Sequence, residues 1–146
     1  MSVNKNILAY TDGSFRRELN LGGWSAVIIN DNKISEFCQG GFATDGNTME
    51  LKAVILALEN TPIYSNVTIY SDARSLIDVI QSRILSKKIK LPSKNRDLWQ
   101  YLTEIMKKRN VSYVWIKGHS GIEGNVRANQ LGILFKFDGF SIKGKI

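Results

Sequence analysis

The sequence predicts an α/β domain in which three tightly joined strands are followed by strands alternating with helices. Up to Phe42, short apolar runs are separated by turn residues, the pattern of an antiparallel meander. From Thr48 onward, stretches rich in helix formers alternate with short apolar runs, the pattern of strand–helix–strand units. At 146 residues the chain has the length of one ordinary domain, so residues 1–146 are read as one unit. A chain of this size buries roughly 68–70% of the surface its unfolded form exposes, enough for a core without disulfide staples.

Taken in order, Ile7 to Thr11 reads as a strand stopped by Asp12-Gly13-Ser14. Gly23 to Asn30 is a second strand, and Asp31-Asn32 a hairpin turn that tolerates positive φ. Lys33 to Phe42 is a third, with rough alternation at Ile34, Glu36, Phe37 and Cys38. Thr48 to Glu59 is a helix that Pro62 ends, and apolar residues over most of its circumference predict that it is buried. Val67 to Ser71 is a fourth strand, parallel to an earlier one by right-handed crossover, and a helix from Arg74 to Gln81 follows. Asp97 to Arg109 is an amphipathic helix with Asn110 as its C-terminal cap. Val111 to Ile116 is a fifth strand, and a glycine-punctuated loop from Gly118 to Gly124 leads to a last helix from Asn125.

Hydrophobic residues make up 43% of the chain and charged residues 23%, the balance of a soluble globular protein. The single cysteine, Cys38, cannot form an internal disulfide and is expected to be a small buried strand residue. The opening MSVNKNILAY has too short an apolar run for a signal peptide, and no stretch is long enough to span a bilayer. An intracellular, cytoplasmic address and no membrane association follow as expectations. A formal net charge of +7 suits a polyanionic partner such as nucleic acid, although a basic protein that is merely soluble carries the same charge.

Asp12 follows the first strand, Glu50 opens the buried helix and Asp72 follows the fourth strand. In an α/β sheet, sites assemble at the carboxyl ends of strands, so these three carboxylates can converge. Each also has a local reading. Asp12 is a good turn former, Glu50 stands three residues after Asn47 as in a capping box, and Asp72 can cap the following helix. Converging carboxylates repel one another and raise each other's pKa. A hard divalent cation, Mg2+ or Mn2+, relieves that repulsion.

Four segments in order resemble the type 1 ribonuclease H family: Tyr10-Thr11-Asp12-Gly13-Ser14, Asn47-Thr48-Met49-Glu50-Leu51, Ile69-Tyr70-Ser71-Asp72, and Gly118-His119-Ser120-Gly121 running to Gly124-Asn125-Val126-Arg127-Ala128. The resemblance implies a five-stranded mixed sheet with flanking helices and an RNA–DNA hybrid as substrate. It also implies two-metal hydrolysis of the RNA strand, leaving 5′-phosphate and 3′-hydroxyl ends. Carried over by position, Asp12, Glu50 and Asp72 match metal-binding carboxylates of the family. His119, the only histidine, matches its loop histidine, which assists proton transfer or product release. Asn47 matches a position that contacts the hybrid near its minor groove, where the 2′-hydroxyl distinguishes RNA from DNA. The acid-free stretch from Arg83 to Arg96, with Lys87, Lys88, Lys90 and Lys94, lies where the family often grips its substrate; a solvated charged loop is the other reading. Trp99 lies beside it, and its helical spacing points to core packing.

Three departures bear on function. The family's fourth metal-binding aspartate, after the Arg-Ala of the last helix, is Asn129 here. A neutral amide is nearly isosteric but brings no charge, so the resemblance implies a metal site that holds its ion weakly and an activity that is impaired. Arg74 stands where the family often has glutamine, and a cation there favours phosphate over base-edge contact. Arg16 and Arg17, in a loop unlike the family's, can reach phosphate. A monomeric hybrid endonuclease is therefore expected. A DNA-directed nuclease of the same fold is the first alternative, and a catalytically silent hybrid-binding module, argued by Asn129, is the second.

Overall fold

The computed structural model describes residues 5–86, 90–117 and the backbone of 144–145. Its frame is a mixed sheet of β1 (Asn6–Arg16), β2 (Leu21–Asn30), β3 (Lys33–Phe42), β4 (Asn66–Ser71) and β5 (Asn110–Trp115). The helices are α1 (Gly46–Glu59), α2 (Arg74–Val79), which runs on into a π-helical turn at Ile80–Leu85, and α3 (Arg96–Met106). The spatial order is β5-β4-β1-β2-β3. Strands β1, β2 and β3 are antiparallel, whereas β4 runs parallel to β1 and β5 parallel to β4. The five-stranded mixed sheet is thus present, and a two-residue strand, β6 (Gly144–Lys145), adds to its β3 edge opposite Cys38 and Phe37.

One face of the sheet carries the main core. Alternate residues Ile7 and Ala9 of β1, Ala26 and Ile28 of β2, and Val67 and Ile69 of β4 meet the helices. Helix α1 is buried at Met49, Leu51 and every position from Ala53 to Leu58, as its all-round apolar pattern predicts. Trp99 and Leu102 of α3 join the same core, which confirms the packing reading of Trp99. On the second face Val27 and Cys38 are buried against Tyr10, whose ring stacks on Tyr70 with centroids 4.7 Å apart. Cys38 is therefore the buried strand residue that the sequence predicts.

Several boundaries differ from the sequence reading. Strand β1 does not stop at Asp12-Gly13-Ser14 but pairs with β2 as far as Arg16, so a ladder satisfies backbone groups that a turn would otherwise hold. Local turn chemistry loses to strand pairing there. The chain turns instead at Arg17–Leu19, where Asn20 takes a left-handed conformation at φ 51°. The Asp31 turn is as expected, with φ 56°. Helix α1 starts two residues earlier than expected because Asp45, not Asn47, is its cap and accepts the Thr48 N–H at 2.7 Å. Asn110 is not the cap of α3. It opens β5, where register places it opposite Asn66 and its side-chain amide donates to Asn66 Oδ1 at 3.1 Å. The helix expected from Asn125 lies outside the described residues.

Leu102 has no solvent exposure and carries α3 onto α1 and the sheet. Leu102→Ala is expected to lower the unfolding free energy by about 2–5 kcal/mol, measured by urea denaturation.

Candidate active site

Parallel pairing of β1 and β4 reaches Tyr10 opposite Tyr70. Two residues further along each strand direction stand Asp12 and Asp72, so neighbouring chains deliver both carboxylates to one end of the sheet. Asp12 lies within β1 rather than after it, while Asp72 follows the end of β4 as expected. Glu50 arrives from the start of α1. There the helix backbone lies against β1 so closely that a Cβ on Gly13 would overlap the Glu50 nitrogen and the Met49 carbonyl carbon. Only glycine permits this approach. The Gly13 N–H then donates to Glu50 Oε1 at 2.8 Å. Glu50 is therefore not the second half of a capping box; its partner comes from the sheet.

One oxygen from each of Asp12, Glu50 and Asp72 lies within 4.8 Å of the others. Asp12 is 3% exposed, so part of this charge is poorly hydrated. Burial pushes the Glu50 carboxyl well above the ordinary glutamate range, and the charges of Asp12 and Asp72 raise it further. The Gly13 hydrogen bond opposes both without overcoming them. A compact set of carboxylate oxygens, each raising the others' cost of ionisation, fits a hard divalent cation.

The surrounding groups fall into two clusters. Exposed Asn47, in the first turn of α1, lines a cleft of about 190 Å3 with Leu51, Ser75, Lys94 and Trp99. Lys94 Nζ lies 3.1 Å from Asp45 Oδ2, and Asn95 Nδ2 donates to Thr48 Oγ1 at 2.9 Å. Together they fasten the end of the basic segment to the start of α1. Burial raises the Asp45 carboxyl, but the Thr48 donors and Lys94 outweigh it and hold the group below the usual aspartate range. On the other side, Arg74 begins α2 with its guanidinium 5.1 Å from the Trp115 ring centroid, and the Trp115 indole N–H donates to the Asp72 carbonyl at 3.1 Å. Arg16, at the end of β1, stands 3.6 Å from Glu18, and Lys90 is exposed. His119, Asn129, Lys87 and Lys88 lie outside the described residues.

Sequence reasoning passes over three contributors. Gly13 reads as a turn residue, although a glycine inside a strand pattern also signals close backbone approach. Asp45 carries a readable signal, an aspartate three residues before Thr48 at a helix start. Trp115 has none, because its contact with Asp72 exists only once the β4–β5 register places it opposite Ser71.

The Glu50 charge makes a pH-dependent prediction. Its folded-state pKa is raised, so the metal-free fold is favoured by protonation below the ordinary glutamate range. That advantage is lost as pH rises through the raised value. Glu50→Gln escapes the loss, so it should raise the melting temperature of the metal-free protein at neutral pH, by about 3 °C for each kcal/mol of repulsion removed. The difference from the parent should close at acid pH, and divalent cations should stabilise the parent more than the variant; thermal melts with and without chelator across pH read both.

Residues 4–133 match the RNase H family model. The Ribonuclease H of Alcanivorax borkumensis is 37% identical over 134 residues, covering 87% of this chain and 89% of that protein. The Ribonuclease H of Francisella philomiragia is 35% identical over 133 residues, covering 86% and 88%. A solved structure described as a type 1 RNase H with the type 2 active-site motif superimposes with a TM-score of 0.81 at 21% identity, covering all of this chain and 79% of that one, and so shares the fold. With its sheet order, its acidic cluster and this match along most of its length, the chain belongs to the ribonuclease H family.

Proposed function

We propose that this chain is an endonuclease that hydrolyses the RNA strand of RNA–DNA hybrids, using divalent cations held by Asp12, Glu50 and Asp72. The observation that carries this reading is the convergence of those carboxylates within 4.8 Å, in a chain matched to ribonuclease H along most of its length. Mg2+ is the expected ion, with two bound per site and Mn2+ able to substitute. When bound, such ions lower the pKa of an attacking water and stabilise the leaving 3′ oxygen.

The protein's own groups do the remaining work. The Gly13 N–H fixes one Glu50 oxygen, so the carboxylate is oriented before any ion arrives. Asn47 stands at the mouth of the neighbouring cleft, where a side-chain amide can read a 2′-hydroxyl. Arg74, Arg16 and the lysines at 87, 88, 90 and 94 supply cations for the phosphates of the hybrid, with Lys94 leaving or sharing its pair with Asp45. His119 serves proton transfer or product release. Asn129 completes the ligand set with a neutral amide. We expect a single-domain monomer, working inside the cell; among the described residues no helix is long and apolar enough to cross a membrane.

Asn129 separates this reading from that of a silent hybrid-binding module. In an assay on a labelled hybrid, Asn129→Asp should raise Mg2+-dependent cleavage by orders of magnitude while hybrid affinity stays near that of the parent. A restored variant that binds hybrid tightly yet cuts no faster than the parent would favour the binding module instead.

A further inference from the structure

We propose that Trp115 is a positioning residue of the acidic site, holding Asp72 for the metal with its indole N–H and Arg74 for the substrate with its ring face. The inference rests on the metal reading of Asp12, Glu50 and Asp72. Asp72 and Ala73 lie between the last residue of β4 and the first of α2, beyond both the ladder and the helix. Contacts from β5 replace those elements. Trp115 pairs in register with Ser71, and the Ile116 N–H donates to the Ser71 carbonyl at 2.9 Å. The Ser71 hydroxyl accepts the Ala73 N–H at 3.0 Å, and the indole takes the Asp72 carbonyl at 3.1 Å. The turn that presents the third carboxylate is thus held at successive residues.

Core packing does not explain this tryptophan. It is 41% exposed at the end of an edge strand, beside an equally exposed Val114. Its polar atom is nevertheless committed to the backbone of a residue whose side chain joins the cluster. Its face meanwhile carries Arg74, the next charged residue after Asp72. A guanidinium lying on an indole keeps its N–H edge available for a phosphate, and the stacking limits the orientations it samples. Groups that orient a ligand in this way commonly alter metal affinity when removed.

The two contacts can be tested separately. Trp115→Phe removes the N–H and keeps a ring beneath Arg74. Arg74→Ala removes the cation and keeps the N–H. Trp115→Leu removes both ring and donor. Mn2+ uptake by each protein without nucleic acid is read by electron paramagnetic resonance. Hybrid affinity in chelator is read by fluorescence anisotropy over a salt series. Trp115→Phe should weaken Mn2+ uptake by about 2- to 10-fold, the loss of one hydrogen bond, with an unchanged salt slope for the hybrid. Arg74→Ala should keep parental Mn2+ affinity and lower the magnitude of the log–log salt slope by about one. Trp115→Leu should show a weakened Mn2+ affinity and a reduced slope together. Parental Mn2+ affinity in Trp115→Phe, or a parental salt slope in Trp115→Leu, overturns the assignment. If the parent itself takes up no Mn2+, the metal reading has failed and the positioning role falls with it.

Discussion

The site depends on the contact between the start of α1 and the middle of β1 at Gly13. Side chains ordinarily separate a helix backbone from the strand it covers, yet here the two backbones touch because Gly13 has no side chain to intervene. The approach places Glu50 where the Gly13 N–H can hold it, and it brings the helix-borne carboxylate beside two that the parallel strands already deliver. The rest of the fold makes that contact durable. Helix α1 is buried on nearly all sides, so it can neither roll nor lift without exposing its core. Asp45 caps it, and Lys94 and Asn95 tie the following segment to the same end.

Holding three carboxylates together in partial burial opposes the stability of the metal-free fold. The chain carries a formal charge of +7, yet among the described residues no cation pairs with Glu50, whose carboxyl is raised by burial and by its acidic neighbours. Positive charge gathers elsewhere, on the 83–96 segment and at Arg16, Arg17 and Arg74. This division suits a molecule whose substrate brings phosphates and whose site takes a cation. A basic surface suits a polyanion, and a cluster of carboxylates suits a hard cation.

Much of this was legible in the residues, and what was not has a physical reason. The periodicity of residues 23–42 and 48–59 placed β2, β3 and α1 within two residues of their observed bounds, because burial on one face or all round leaves a mark in sequence. Cys38 and Trp99 were readable as core for the same reason. The acidic residues Asp12, Glu50 and Asp72 were readable as a set, through their segments and their places near strand and helix ends. The end of β1 is hidden because Asp-Gly-Ser favours a turn locally, while the ladder to β2 is a long-range interaction that local chemistry does not report. The place of Asn110 is hidden likewise, since a cap and a strand start differ only in what lies across from them. The grip of Trp115 on Asp72 joins residues 43 apart and depends on strand register, so no spacing within the sequence announces it.

The most direct test of the account is an anomalous difference map from crystals grown with Mn2+. The account predicts anomalous density among the carboxylates of Asp12, Glu50 and Asp72, with the Gly13–Glu50 hydrogen bond retained. Strong Mn2+ density elsewhere, with none at this cluster in a well-ordered crystal, would contradict it.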